Sequence, residues 1–302
     1  MSANHLSSPP GSRAPWSLGS DVRLPIEPPH PREAGPLPAA GPVRIGDLSL
    51  GPGRPVVPRS RAGVPPSTSL WVTDDEVPDV GVVWANVAAE FASTGLWPLI
   101  LRSLYDEVER PWDNGEFEPA TQADIDSTDA QTVLEDGWRG SLVPINDPWP
   151  PGTGPLAPFH PIFPGLAPSL APSHDVLVAP HGESARIGLV SCRRPADAIA
   201  TMGWLGAINV RSPAEVSAVL RSWEERFGAV VVGLGFATVT LLVTRPPRTD
   251  DDALRVAAEV AALCPDALWQ PESLPPYEPR DATLDAMGRH LVRESVWRLW
   301  FD

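Results

Sequence analysis

The sequence predicts an α+β protein: a mixed β-sheet with helices packed on one face, preceded by a proline-rich disordered N-terminal leader. Two observations indicate this class. From residue 69 onwards, apolar segments of strand length alternate with segments of helical periodicity. Within this series, 230–234 and 236–243 are β-rich runs separated only by a glycine, which is typical of a hairpin. A doubly wound nucleotide fold needs strictly alternating units, so the hairpin argues against it.

Proline sets the predicted boundaries of the chain. Of the 39 prolines, 15 precede residue 70 and 11 lie between residues 144 and 180. Proline lacks a backbone donor and fixes φ, so these stretches are poor helices and poor central strands. The predicted parts are a disordered leader (1–68), an N-terminal α/β portion (69–143), a linker or long loop (144–184) and a C-terminal α+β domain (185–302). Within the leader, 43–50 is apolar enough for an edge strand, and whether the two folded portions share one core is left open.

The N-terminal portion begins with a strand-like segment and then a helix over 80–93, whose expected left-handed end is Gly95. An apolar run follows over 96–101. Because Pro98 interrupts it, we expect this run at the edge of a sheet. Asp129 is placed to open a short helix with Trp138 on its buried side.

The C-terminal domain carries the clearest signals. Ser212-Pro213-Ala214-Glu215 is a capping box with proline at the first helical position, and Gly228 ends the helix. An alanine-rich helix is predicted over 250–263, and 267–270 is interpreted as a return to the sheet. The pattern over 283–300 predicts a terminal helix.

Composition narrows the function. The net charge of -15, with arginine as the only cation besides histidine, disfavours nucleic acid and anionic membranes as partners. Residues 1–16 lack the apolar core of a signal peptide, and the run 229–244 is too short and interrupted to span a bilayer. Two cysteines are too few for a disulfide framework, so we expect a reducing, cytoplasmic location.

Motifs for reactive chemistry are missing from the sequence. The six histidines form no helical pair or cysteine–histidine cluster, so we predict no metal site. A phosphate loop needs a lysine that the chain lacks, and no cofactor is predicted. Cys264 follows a helix, whose negative end disfavours a thiolate, and we interpret it as a small buried hydrophobe.

The stretch 204–270 resembles the bacterial family called domain of unknown function 4253. The matching segments are Gly206-Ala207-Ile208-Asn209, 221–229, Pro246-Pro247, Cys264-Pro265-Asp266 and Trp269-Gln270, with the aromatic ending 297–302. The segments 94–99 and 110–116 are similar to those of actinobacterial members, so the likeness extends over roughly 69–302. It implies a shared α+β fold and carries over no catalytic residue.

Tryptophan suggests where the chain binds something. There are 12 tryptophans against 2 tyrosines, and several lie beside proline, glycine or aspartate in turn-like surroundings. Exposed indoles near carboxylates stack on sugars or anchor partner proteins, whereas the alternative is that they fill gaps in the core. Asp266 either caps a turn or faces a cleft. The predicted binding residues are Trp97, Trp112, Glu116, Asp266, Trp269 and Gln270.

Two functions remain open. The first is a non-enzymatic binding protein whose partner is another protein. The alternative is a small-ligand-binding protein or hydrolase with a carboxylate and a tryptophan-lined cleft. The alternative requires Trp97, Trp112, Asp266 and Trp269 to converge on one concave pocket. The oligomeric state is left open.

Overall fold

A computed structural model describes residues 17–25, 33–58, 70–104, 110–170, 176–181, 184–271 and 280–302, with the backbone alone for 17–25 and 176–181. The strands in these ranges are β1 (Ser17–Pro25), β2 (Gly41–Ile45), β3 (Leu48–Val56), β4 (Leu70–Thr73), β5 (Leu96–Leu101), β6 (Val176–His181), β7 (Arg186–Ser191), β8 (Ala229–Leu234), β9 (Thr238–Val243) and β10 (Val296–Trp300). The α-helices are α1 (Val80–Ala89), α2 (Phe91–Thr94), α3 (Gln122–Ser127), α4 (Ala130–Gly137), α5 (Ala198–Met202), α6 (Pro213–Phe227), α7 (Asp250–Leu263), α8 (Asp266–Trp269) and α9 (Leu284–Leu291).

Eight of these strands form one mixed sheet in the order β10-β9-β8-β5-β7-β4-β3-β2. β5 runs parallel to β8 and antiparallel to β7, and the other neighbours in this sheet are antiparallel. β1 and β6 form a separate antiparallel pair. Helix α1 packs against β5, and α6 packs against β8. The mixed sheet confirms the α+β prediction, and the β8–β9 hairpin confirms the element on which that prediction relied.

The two folded portions share one core. β5, from the N-terminal portion, lies between β7 and β8, which come from the C-terminal domain. Every residue of β5 and of β8 is buried, so both faces of the sheet are covered at its centre. The stretch 144–184 therefore separates segments of the chain and does not separate two hydrophobic cores.

β5 is a central strand, and the expectation that Pro98 would place it at an edge is wrong. Its ladder with β7 extends over the whole strand, but its ladder with β8 covers only Ile100 and Leu101. The Cys192 amide donates to the carbonyl of Gly95, which makes Pro98 a non-hydrogen-bonded position towards β7. Its missing N–H thus faces β8 just before that ladder begins, and no sheet hydrogen bond is lost.

The predicted leader does not extend to residue 68. β2 and β3 form a hairpin that pairs with β4, and β2 is the edge strand of the sheet. This confirms the edge strand expected within 43–50. The apolar side chains of Ile45, Leu50 and Val56 are buried there, although the leader was predicted to bury too little apolar surface to fold. β1 also lies in this range. The rest of the predicted leader, apart from 33–40 and 57–58, lies outside the described residues.

The end of the described chain is a strand, and the helix predicted over 283–300 is wrong beyond its first half. α9 ends at Leu291, and β10 pairs antiparallel with β9. Along β10, buried and partly exposed residues alternate, as is typical of a strand. The prediction missed this alternation because the apolar residues upstream have helical spacing. The segment 267–270 also differs from prediction, because most of it belongs to helix α8.

Tryptophans fill much of the core. Eight of the 12 have buried side chains: Trp71, Trp84, Trp97, Trp112, Trp138, Trp204, Trp223 and Trp297. Two pairs meet edge to face, with ring centroids 5.8 Å apart for Trp84 and Trp97 and 5.6 Å apart for Trp223 and Trp297. Such pairs add to the stability gained from burial alone. Core filling therefore accounts for these eight indoles.

Candidate functional site

Trp97 and Trp112 do not offer exposed indoles. Trp97 lies on β5, packs against Trp84 and donates its Nε1 hydrogen to the carbonyl of Val231 at 2.8 Å. Trp112 follows β5 in the chain and donates its Nε1 hydrogen to the carbonyl of Arg102 at 2.9 Å. Both side chains are buried and their donors are used internally, so neither forms a binding surface.

Glu116 lies in a charged turn at the end of the sheet where β5 ends and β7 begins. Arg110 donates its Nε hydrogen to the Glu116 carboxylate, 3.1 Å from each oxygen. The nearby Asp113 accepts from both terminal nitrogens of Arg186, at 2.9 and 3.0 Å, and also pairs with Arg54. The Asp113 pairs fasten the turn to strands β3 and β7, and the Arg110–Glu116 pair joins two residues within the same segment. Both carboxylates thus have a structural role.

Asp266, Trp269 and Gln270 lie on and directly after α8. Oδ1 of Asp266 accepts from Nε2 of Gln270 at 3.2 Å, and Oδ2 accepts from the backbone amide of Asp302 at 3.0 Å. Trp269 is partly buried. Helix α8 packs against β10 at the edge of the sheet, whereas Trp97 lies in its centre. The convergence that the ligand-binding alternative required is therefore not found.

The two thiols lie in environments that suppress reactivity. Cys264 is buried, its Sγ hydrogen points to the Trp300 carbonyl at 2.8 Å, and burial raises the pKa of this thiol to about 12. Burial also raises the pKa of Cys192 well above its ordinary value, and the negative charges of Asp197 and Glu224 raise it further. The interpretation of Cys264 as a buried hydrophobe fits this environment. Among the residues described, no group of three or more His, Cys, Asp or Glu side chains is arranged to hold a metal ion.

An open pocket lined by both apolar and charged residues lies instead beside the proline-rich stretch. It has a volume of about 310 Å³, and we call it the Trp138 pocket after one of its lining residues. Its lining residues are Glu135, Trp138, Arg139, Pro161, Ile162 and Phe163. The Trp138 ring meets the ring of Phe163 with centroids 5.8 Å apart, and its Nε1 hydrogen is donated to the carbonyl of Pro161 at 3.0 Å. Trp138 begins a π-helical turn, Trp138–Leu142, directly after α4, and such turns are frequent at functional sites.

Two isoleucines of the proline-rich stretch are exposed, and one of them lines this pocket. Ile162 lines the pocket and is 75% exposed, and Ile145 is fully exposed. Each lies two residues from one member of a close pair: Oδ2 of Asp147 and Nε2 of His160 are 2.7 Å apart. This contact ties together the two stretches of chain that carry the isoleucines.

The loop that carries Ile162 is fastened to the core through Glu259, which is fully buried. Oε1 of Glu259 accepts from the Ala167 amide at 2.6 Å and from Nη1 of Arg226 at 2.7 Å. Oε2 accepts from Nε1 of Trp223 at 2.8 Å and from Nη2 of Arg226 at 2.6 Å. The segment 144–170 is therefore a packed loop, the second of the two descriptions that the sequence allowed.

Charge around the pocket is predominantly negative. Glu135 lines it and accepts from the neutral amide of Gln131 at 2.8 Å. Arg139 also lines it, but its guanidinium pairs with the exposed Asp136 at 3.0 Å. Asp147 adds a third carboxylate close to the isoleucines. The pocket and its neighbouring residues thus carry three carboxylates, of which Asp136 contacts Arg139 and Asp147 contacts His160.

Sequence reasoning missed this pocket because its two sides are distant in the chain. Trp138 was expected on the buried side of the helix opened by Asp129, and it is buried there. Nothing in the pattern shows that 161–163 folds back onto it. Ile145 and Ile162 do not stand out in the sequence either, because the same stretch contains other large apolar residues such as Trp149, Phe159 and Phe163.

The fold and the pocket define an α+β protein with an open pocket beside a packed, proline-rich loop. Residues 186–302 match the model of Domain of unknown function (DUF4253), which confirms the resemblance over that part of the chain. The match begins at the first residue of β7 and leaves 69–185 outside it. No curated protein and no solved structure matches the chain. In the described part of the chain, no helix has the length and hydropathy needed to cross a membrane.

Proposed function

We propose that this protein is a protein-binding module that recognises its partner through the Trp138 pocket and the two isoleucines beside it. The observation that carries the proposal is the exposure of Ile162 in the lining of an open pocket, together with a second exposed isoleucine, Ile145, on the stretch that the Asp147–His160 contact holds to the same loop. Burying an isoleucine side chain contributes about 1.5–3 kcal/mol, and the free chain does not gain this contribution from either residue. Exposed apolar patches next to polar residues are typical of interaction sites.

The shape of the pocket favours a partner side chain over a small metabolite. Its volume of about 310 Å³ is at the lower end of the range of roughly 300–1,000 Å³ for small-molecule sites. Pro161, Ile162 and Phe163 contribute apolar lining over the well-buried Trp138, and Glu135 and Arg139 contribute charged lining. Protein interfaces likewise combine apolar contacts with polar and charged groups around them.

The reactive groups support binding without catalysis. Both cysteines are buried and free, and the pKa of the Cys264 thiol is raised to about 12. The carboxylate of Asp266 accepts hydrogen bonds from its own chain on both oxygens. Free thiols also fit a reducing compartment, and we infer a cytoplasmic protein. The net charge of -15 favours a protein partner over nucleic acid or an anionic membrane.

A comparison of three forms of the full chain tests the proposal. Wild type, Ile162→Asp and Val82→Asp serve as baits in extracts of the host cells, and the bound proteins are quantified by mass spectrometry. Val82 is a matched control because it is also exposed, at 39%, but lies on α1. We expect one partner that wild type and Val82→Asp retain and that Ile162→Asp reduces at least about tenfold, since central apolar contacts are worth more than about 1 kcal/mol. Equal recovery by all three folded forms refutes the proposal.

A further inference from the structure

The Trp138 pocket restricts the chemistry of the group that can enter it. The Trp138 side chain is almost completely buried, and its indole N–H is donated to the carbonyl of Pro161 at 3.0 Å. A ligand therefore meets mainly Pro161, Ile162 and Phe163 on the apolar side of the pocket, and it finds no free indole donor there. On this side, a group that needs a hydrogen-bond donor would lose its water without compensation, whereas an apolar side chain would not. The side of the pocket formed by these three residues thus favours an apolar anchor.

The rim restricts what can flank that anchor. The Glu135 carboxylate accepts a hydrogen bond from a neutral amide, that of Gln131. The Arg139 guanidinium is 3.0 Å from Asp136, which offsets its positive charge. Asp147 adds a further carboxylate beside the isoleucines. An approaching chain therefore meets negative charge around the apolar centre.

The long-range electrostatic field of the whole chain is negative, like the charge near the pocket. The whole chain carries a net charge of -15, so a positively charged partner is attracted before contact and an acidic one is repelled. At the rim, like charges brought together would cost several kcal/mol, whereas opposite charges improve selectivity and the rate of association.

From this geometry we infer that the partner presents a basic segment in which one large apolar side chain is flanked by lysine or arginine. This inference rests on the proposed function and deepens it, because it states the chemistry of the partner at the same surface. The apolar side chain enters the Trp138 pocket and covers Ile162. The flanking cations lie near Glu135 and Asp147, where exposed charge pairs supply selectivity and modest affinity.

Selection from a displayed library of random linear peptides on the immobilised full chain tests this inference. The selected peptides are then synthesised and their dissociation constants are measured with wild type, Ile162→Asp, Glu135→Gln and Glu225→Gln. Glu225 is the matched control because it is an exposed carboxylate paired with Arg194 and lies outside the pocket lining.

The expected peptides carry Leu, Ile, Phe or Trp next to Lys or Arg. We expect Ile162→Asp to weaken them at least about tenfold, and Glu135→Gln to weaken them about two- to fivefold, with Glu225→Gln unchanged. Raising the salt from about 50 to about 500 mM weakens them as well.

The selection experiment distinguishes failure of this inference from failure of the proposed function. Peptides that depend on Ile162 but carry neutral or acidic flanks, or that ignore Glu135→Gln and salt, overturn the inference on basic character and leave the docking surface intact. A selection that yields no peptide sensitive to Ile162→Asp overturns the proposed function together with the inference.

Discussion

Replacement of Glu259 by glutamine tests how the proline-rich loop is held. This carboxylate is fully buried, and each of its oxygens accepts two hydrogen bonds. The donors come from the Ala167 amide on the loop and from Trp223 and Arg226 on α6. Glutamine has nearly the same shape but only one acceptor oxygen, and its amide nitrogen is a donor.

The size of the effect follows from these contacts. Whichever way the glutamine side chain is turned, its NH₂ group faces two donors, so two of the four hydrogen bonds are lost. A hydrogen bond to a charged group is worth about 1.5–3 kcal/mol, which gives a loss of about 3–6 kcal/mol for two. Breaking a buried ion pair by removing one partner costs about 3–5 kcal/mol. We therefore expect Glu259→Gln to lower the free energy of unfolding by about 3–5 kcal/mol.

Urea denaturation followed by far-ultraviolet circular dichroism measures this loss, and the control is Glu225→Gln on the same helix as Arg226. Glu225 is 65% exposed and pairs with Arg194 at 3.0 Å, so its substitution is expected to cost less than about 1 kcal/mol. A loss below about 1 kcal/mol for Glu259→Gln, with an unchanged m-value, would refute the argument that this carboxylate fastens the loop.

Three further predictions concern a buried acid, a glycine and a thiol. Burial raises the pKa of Glu224 from 4.5 to about 7, so the folded state binds the proton more tightly. The stabilisation is complete below about pH 4.5 and is lost as the pH rises through about 7. Between about pH 5 and 7.5, the urea midpoint of wild type should fall more than that of Glu224→Gln. Gly206→Ala should lower stability by about 1–3 kcal/mol in thermal unfolding, because its Cβ would lie 2.0 Å from the Trp204 ring and 2.3 Å from the Phe236 carbonyl oxygen. Cys264, with a pKa of about 12, should not react with a thiol reagent such as DTNB until the chain is unfolded in urea.

Local signals predicted much of the secondary structure. The capping box is present as expected: Ser212 accepts from the Glu215 amide, the Glu215 carboxylate accepts from the Ser212 amide, and Gly228 ends the helix with φ of 61°. These are interactions between residues a few positions apart, so sequence alone contains them. The position of β5 was not predictable in this way. Pro98 indicated an edge, and only the short length of the ladder with β8 explains why a central strand tolerates it.

The candidate site was harder to predict because burial depends on distant contacts. Trp97 and Trp112 have turn-forming neighbours in the sequence, yet both are buried. Trp97 donates to Val231, a residue 134 positions away, and no local pattern encodes that contact. The same holds for the Trp138 pocket, where Pro161 and Phe163 return to a helix that ends more than 20 residues earlier. Composition suggested a binding function for tryptophan, but the topology buries eight of the 12 indoles.

Photo-crosslinking in the host cells tests the central claim most directly. A benzophenone amino acid replaces Ile162 in one form of the full chain and Val82 in another, both exposed positions. After irradiation, the account predicts a discrete adduct with one protein from position 162, through a peptide rich in lysine or arginine, and no such adduct from position 82. The same adducts from both positions, or none from position 162 with the folded chain abundant, would contradict it.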